Sequence, residues 1–314
     1  MGVRGWSKFT NDMTQTHWHV LLVYLCFTLI ATALALAKRW FRLGATGESV
    51  WQKYPTYILI NLIFLAAGWL PREWQALTVL LSLLGGLASW EMVQALSLST
   101  MTRRGLPLLT AVLVIAAGWL ETEAFAKLWL AAMLGSAAAS ALAIRGEDLG
   151  RHVLALAGCV VYLPFCLAAY LWVWKNDAAG FLAAFLYLTV ATNDALAQIT
   201  GQLFGRRPLA LRISPAKMME GAAGGMLFAG TMGMALSTTV GWSYLAGGLL
   251  GLGIGLAGLL GDLTASAWKR ALNLRNFSGL LGPQGGVLDR FDGLIFAAPV
   301  FYLLTALSKM LYPP

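Results

Sequence analysis

Charge is scarce in this chain. Of its 314 residues only 11% are Asp, Glu, Lys or Arg, against roughly 25% in an ordinary soluble domain. Hydrophobic residues make up 59% and the mean hydropathy is +0.70, so too little polar surface remains to solvate a water-soluble fold. Strict alternation of polar and apolar residues is missing too. Runs such as 153–160 and 249–260 hold no polar side chain, which excludes the pattern of a membrane β-barrel. Cysteine and histidine number three each. Cys26, Cys159 and Cys166 lie in apolar runs without metal-ligand spacing and read as small core residues, and His17, His19 and His152 form no metal set. No long linker, low-complexity tract or internal repeat interrupts the chain. The net charge of +8 would suit a nucleic acid, but Lys and Arg are scattered among short connections rather than massed on one module, so no nucleic-acid partner is expected.

What is abundant is apolar sequence in runs long enough to cross about 30 Å of hydrocarbon as a helix, the form that satisfies every backbone group internally. Spans are predicted at 18–37, 55–70, 75–98, 106–120, 125–144, 152–174, 179–203, 218–238, 241–263 and 288–311. The expected fold class is therefore all-α, a polytopic transmembrane helical bundle of about ten spans. The odd-numbered connections carry 16 of the 22 Lys and Arg residues. The positive-inside rule puts those loops in the cytoplasm and both termini outside, with the N-terminal segment read as retained rather than as a cleaved signal. Glycines crowd the eighth and ninth spans, between Gly224 and Gly261, where small residues let membrane helices approach closely.

An acidic residue in or beside a span needs a partner or a task, and three stretches stand out. Thr192-Asn193-Asp194, in the seventh span, leads to the basic loop Gly205-Arg206-Arg207-Pro208. Next comes Ser214-Pro215 with Lys217 and Glu220. Here Ser214 is placed to cap a helix with Pro215 in its first turn, which would put Lys217 and Glu220 on one face. The densest stretch contains Asp262, Ser266, Lys269, Arg270, Arg275, Asn276, Gln284, Gly285, Gly286, Asp289, Arg290 and Asp292.

Two readings of that third stretch stand side by side. Asp289 and Asp292, three apart at the start of the last span, suit a hard cation that binds through one or two carboxylates and substrate phosphates. The neighbouring cations and the N–H groups of Gly285-Gly286 would then meet phosphate oxygens. Alternatively, the two acids favour a helix N-terminus and pair with nearby arginines. Glu91, within the third span after Trp90, reads as a partner for a cation on another helix.

Residues 266–292, SAWKRALNLRNFSGLLGPQGGVLDRFD, resemble the signature of the phosphatidate cytidylyltransferase (CDP-diacylglycerol synthase) family. That signature runs Ser-x-x-Lys-Arg, Lys-Asp, His-Gly-Gly and Asp-Arg-x-Asp, and roughly three-quarters of its specified positions agree here without insertion or deletion. Asp194 to Gly205 and the Ser214-Pro215-x-Lys217-x-x-Glu220-Gly221 segment are similar to two further family stretches. The departures are Arg275-Asn276 for Lys-Asp, Gln284 for His, Trp268 at a hydrophobic position, Met218 for Thr and Gln198 for Tyr.

The resemblance implies transfer of a cytidylyl group from CTP to phosphatidate or a related lipid phosphate, giving CDP-diacylglycerol and pyrophosphate. It implies Mg2+ as cofactor, held by Asp262, Asp289 and Asp292, with Lys269 and Arg270 completing the catalytic set. Substrate binding would fall to Asp194, Ser214, Lys217, Glu220, Ser266, Arg275, Asn276, Gln284, Gly285, Gly286 and Arg290. Expected partners are CTP, the lipid phosphate and membrane lipids, with a homodimer left open. The expected location is a bacterial inner membrane with the active face cytoplasmic, and the expected organisation is N-terminal transmembrane helices in 1–178 and C-terminal ones with cytoplasmic catalytic loops in 179–314. A CTP-dependent lipid-alcohol kinase would need a base near the acceptor hydroxyl, and none is evident beyond the carboxylates assigned to metal. A non-catalytic lipid-binding or transport paralogue is the other alternative, although the charges gather on one side rather than at the midplane where transporters place them.

Overall fold

A computed structural model describes residues 3–40, 50–70, 75–96, 98–143, 149–177, 180–282 and 285–311. The helices are α1 Val3–Trp40, α2 Val50–Trp69, α3 Ala76–Ala95, α4 Thr100–Trp119, α5 Thr122–Ala143, α6 Leu149–Leu156, α7 Leu163–Lys175, α8 Phe181–Phe204, α9 Met219–Leu236, α10 Tyr244–Ala271 and α11 Val287–Leu311. Among the described residues, six stretches are long and apolar enough to cross a membrane, within α1, α3, α4, α6 with α7, α8 and α10, and Pro55–Trp69 is a shorter apolar helix. The chain is an all-α integral membrane protein, as its scarcity of charge requires.

Contacts divide the chain into two compact units, each made of two segments. The first joins Met1–Asn61 to Asp177–Leu260; the second joins Leu62–Asn176 to Gly261–Pro314. In the first unit α8 packs along α9, and α1 lies against both. Glycine brings α9 and α10 together: a Cβ on Gly233 would strike the Gly247 carbonyl, and one on Gly251 would strike that of Ala229. Gly253, two residues after Gly251 and so on the opposite face of α10, has nothing within 4 Å of its Cβ position. The two sites should respond oppositely to the same change. Gly233→Ala is expected to destabilise the detergent-solubilised protein by about 1–3 kcal/mol through overpacking. Gly253→Ala should leave it unchanged or raise stability by up to about 1 kcal/mol through helix propensity. Thermal unfolding of the two variants checks this.

In the second unit α3 packs against α4, α7 and α11. Leu77, Leu81, Ala88 and Val93 of α3 are fully buried there. Phe64 stacks on Phe291 at 5.1 Å, and Trp172 meets Phe125 edge-on at 5.5 Å. Between α6 and α7 the chain stays helical but widens to a π-helix over Ala157–Tyr162. The cause is local. Pro164 has no N–H to give Val160, and the Leu163 N–H bonds Gly158, five residues back. Both orphaned carbonyls are met from neighbouring helices, Cys159 O by the Thr110 hydroxyl at 2.6 Å and Val160 O by Trp129 Nε1 at 2.8 Å.

Two local expectations are corrected. Ser214 caps no helix: Ser214–Met218 is a strand, β2, paired antiparallel with β1, Pro208–Ala210. Helix α9 starts only at Met219, so Lys217 lies in a strand and Glu220 in a helix, and the shared helical face does not form. The Glu220 carboxylate instead accepts from the backbone N–H groups of Arg206 and Arg207, at 3.0 and 3.2 Å, and Met219 N–H bonds Arg207 O at 2.8 Å. These bonds close the base of the ribbon and outweigh a serine cap. Helix α10 also outruns its predicted end at 263 by two turns, because Ser266, Lys269 and Arg270 are polar yet good enough helix residues to continue it.

Candidate functional site

The polar stretch of the second unit is built by one helix ending and another beginning. Helix α10 closes in a Schellman motif. The Leu274 N–H reaches Lys269 O at 2.7 Å, the Asn273 N–H reaches Arg270 O at 3.1 Å, and Asn273 adopts the left-handed φ of 56° that the motif requires. Asparagine tolerates that conformation where most side chains do not. The motif holds Lys269 and Arg270 in the last helical turn. Arg270 is exposed and donates to Leu274 O at 3.0 Å.

Helix α11 starts at Val287, with Gly286 preceding it and Asp289 in its first turn. Asp289 reaches back to the Gly286 N–H at 2.9 Å, as the acid of a capping box does. The same oxygen accepts from the Phe277 N–H at 2.9 Å, and the other carboxylate oxygen takes the Lys269 ammonium at 2.7 Å. This is a buried ion pair, its side chains 12% and 6% exposed, and Lys269 also sits 5.6 Å from the centre of the Phe277 ring. Asp289 thus joins α10, the Phe277 backbone and α11.

A second carboxylate meets the same helix start. Glu91 of α3 is fully buried. Its Oε2 accepts from the Leu288 N–H at 2.8 Å, and its Oε1 accepts from the Val287 N–H at 2.8 Å and the Ser278 hydroxyl at 2.6 Å. Its partners are therefore N–H groups and a hydroxyl, where a cation on another helix was expected. A lone acid in an apolar span was the signal; its partners lie almost two hundred positions downstream and carry no pattern that names it.

The glycine pair is explained by these two acids. Gly285 has a φ of 83°, and a Cβ there would fall 2.8 Å from Asp289 Oδ2; a Cβ on Gly286 would fall 2.5 Å from Glu91 Oε2. Their N–H groups donate to Gly282 O and to Asp289.

Asp292, one turn into α11, is buried, and its Oδ1 accepts from the Gly293 N–H at 2.8 Å. Gly261 of α10 lies directly against this turn, since a Cβ on it would fall 2.6 Å from Asp292 O. Asp262 follows on α10 and receives the Ser266 hydroxyl at 3.5 Å. Trp268 faces Tyr162 of the π-helix edge-on at 5.7 Å. Arg275 and Asn276 are exposed, Arg290 is half-buried, and Gln284 lies outside the described residues. Among the described residues no group of three or more His, Cys, Asp or Glu side chains is placed to hold a metal ion by itself. A cation at Asp262 and Asp292 would therefore need oxygens from a bound phosphate, the mode Mg2+ ordinarily adopts. Asp194, Ser214, Lys217 and Glu220 belong to the first unit. There Asn193 and Asp194 touch at 3.4 Å, and Glu220 holds the base of the ribbon.

The sequence profile described as the cytidylyltransferase family matches residues 51–308, a span that contains every one of these groups. The chain belongs to that family. Among its curated relatives is a phosphatidate cytidylyltransferase of Aquifex aeolicus, 36% identical over 151 residues, 48% of this chain and 57% of the relative. An uncharacterized protein of Escherichia coli, YnbB, is 38% identical over 131 residues, 40% and 43% of the two chains. A phosphatidate cytidylyltransferase of Synechocystis is 37% identical over 139 residues, 42% and 46%. The chain spans about half the length of the curated relatives it matches.

Proposed function

We propose that this cytidylyltransferase-family chain transfers the cytidylyl group of CTP to the phosphate of phosphatidate or a related lipid phosphate. The observation that supports it most is the joining of Lys269, Phe277, Gly286 and Asp289, which draws the separated elements of the 266–292 signature into one buried polar cluster. A lipid phosphate is already an anion at neutral pH, so no base is needed to make the nucleophile. One of its oxygens forms a bond to the α-phosphorus of CTP while the bond from that phosphorus to the bridging oxygen breaks, and pyrophosphate leaves with the electron pair. What the protein must supply is alignment and positive charge against the phosphates.

In this reading Asp289 fixes the Lys269 ammonium, and Lys269, Arg270 and Arg290 face the phosphates. Of the three acids expected to hold Mg2+, Asp289 has its oxygens taken by Lys269 and by the Phe277 and Gly286 N–H groups, so Asp262 and Asp292 are the carboxylates that would hold the ion, which when bound would neutralise charge on the triphosphate. The proposal retains about ten spans and a cytoplasmic active face in a bacterial inner membrane, because CTP must arrive from water while acyl chains stay in lipid. Purified protein in liposomes should release pyrophosphate from CTP only when phosphatidate and Mg2+ are both present. Release that is indifferent to the lipid, or none with any lipid phosphate, would overturn the reading.

A further inference from the structure

Glu91 lies outside the 266–292 signature, and the chemistry above gives it no task. It nevertheless accepts three hydrogen bonds, as Asp289 does, and the two acids work on the same pair of segments. Asp289 takes one N–H from Phe277 and one from Gly286; Glu91 takes the Ser278 hydroxyl and the N–H groups of Val287 and Leu288. Adjacent residues in the middle of the connection, 277 and 278, are thereby tied to 286 to 288, where α11 begins. One tie comes from within α11 and the other from α3.

The first N–H groups of a helix have no partner inside it and carry the positive end of its dipole. In α11 three of them, on Gly286, Val287 and Leu288, are met by two carboxylates. The Ser278 hydroxyl that donates to Glu91 also accepts the Leu280 N–H at 3.1 Å, so the turn after Phe277 is set by the same contact. Space is set as tightly as hydrogen bonding, because any side chain at Gly286 would occupy the place of the Glu91 carboxylate.

We infer that Glu91 is a positioning residue for the site: from α3 it fixes where α11 begins, and so where Asp289 and Asp292 stand relative to Lys269. It touches no substrate in this account. The inference rests on the transfer reading for its consequence in turnover, but the hold on α11 is a separate physical claim.

The test uses the full-length protein in detergent or liposomes. In Glu91→Gln the amide nitrogen presents a donor to donors, and loss of charge-assisted bonds of this kind corresponds to about ten- to hundred-fold in an equilibrium or rate. The expected results are amide exchange at 286–288 at least about ten-fold faster than in the unaltered protein, and a kcat lower by a similar factor with KM for CTP within about three-fold. Ser278→Ala, at a half-buried turn, keeps Glu91 and removes one bond; it guards against a variant that does not fold and should show the same pattern at several-fold. A kcat-specific loss is what a merely structural residue would not produce, since a smaller folded fraction is corrected by active-site titration. Unchanged exchange at 286–288 in the folded variants would overturn the hold on α11. Faster exchange with unchanged kcat would overturn the positioning role. Were the unaltered protein to transfer nothing from CTP, the transfer reading would fail while exchange still decided what Glu91 does to α11.

Discussion

Asp289→Asn is expected to abolish measurable turnover, a fall of at least about a thousand-fold, and to cost about 3 kcal/mol of stability. Both effects follow from one carboxylate with two jobs. Its Oδ1 neutralises Lys269 inside the protein, and its Oδ2 gathers the N–H groups of Phe277 and Gly286. An asparagine keeps the shape but presents one amide nitrogen where an acceptor is needed, and it leaves a buried ammonium without its counter-charge. Removing one partner of a buried pair is far more costly than the pair is worth, because the remaining charge stays desolvated. Pyrophosphate release and thermal unfolding measure the two effects separately. Full activity in the variant would remove Asp289 from the site.

The second large effect separates those two jobs. Lys269→Met alone should destabilise, because Asp289 then carries an uncompensated charge 6% exposed to solvent. Lys269→Met combined with Asp289→Asn removes both charges, and a neutral pair of similar volume in such a site is often as stable as the ion pair it replaces. The double variant is expected to unfold within about 1 kcal/mol of the unaltered protein while remaining at least about a thousand-fold slower in transfer. A double variant that regained activity along with stability would make the ion pair a structural feature only. The two readings of Asp289 that the sequence left open, helix-start acid and functional acid, are decided by this cycle rather than by either single change.

Much of the architecture was legible because membrane insertion imposes a pattern that survives without knowledge of neighbours. The apolar runs mark the helices, and the glycine crowding marks a close approach that Gly233, Gly247 and Gly251 carry out. Local rules failed where a distant contact competed with them. Ser214-Pro215 looks like a helix entry, yet it forms a strand because Glu220 is drawn to the Arg206 and Arg207 backbone. Pro164 marks an irregularity in its helix, but that the chain widens there into a π-helix instead of breaking could not be read locally, because the two freed carbonyls are taken by Thr110 and Trp129 of other helices.

The site divides the same way. The spacing of Asp289 and Asp292 showed two acids at a helix start, whereas the N–H groups of the glycine pair, expected to meet a phosphate, are given to Gly282 O and Asp289. What comes close to Gly286 is Glu91, and no rule of spacing connects positions that far apart along the chain. The pairing of Lys269 with Asp289 could likewise be read only once the Schellman turn at Asn273 had returned the chain to α10.

Movement of a nucleotidyl group can be followed in a single assay. Purified protein is incubated with Mg2+, phosphatidate and CTP labelled at the α-phosphorus, and the label is followed into the lipid phase. Labelled CDP-diacylglycerol is expected, formed one for one with pyrophosphate. Label that stays in the aqueous phase as CDP, alongside a newly phosphorylated lipid, or label that remains in CTP, would contradict the proposed transfer.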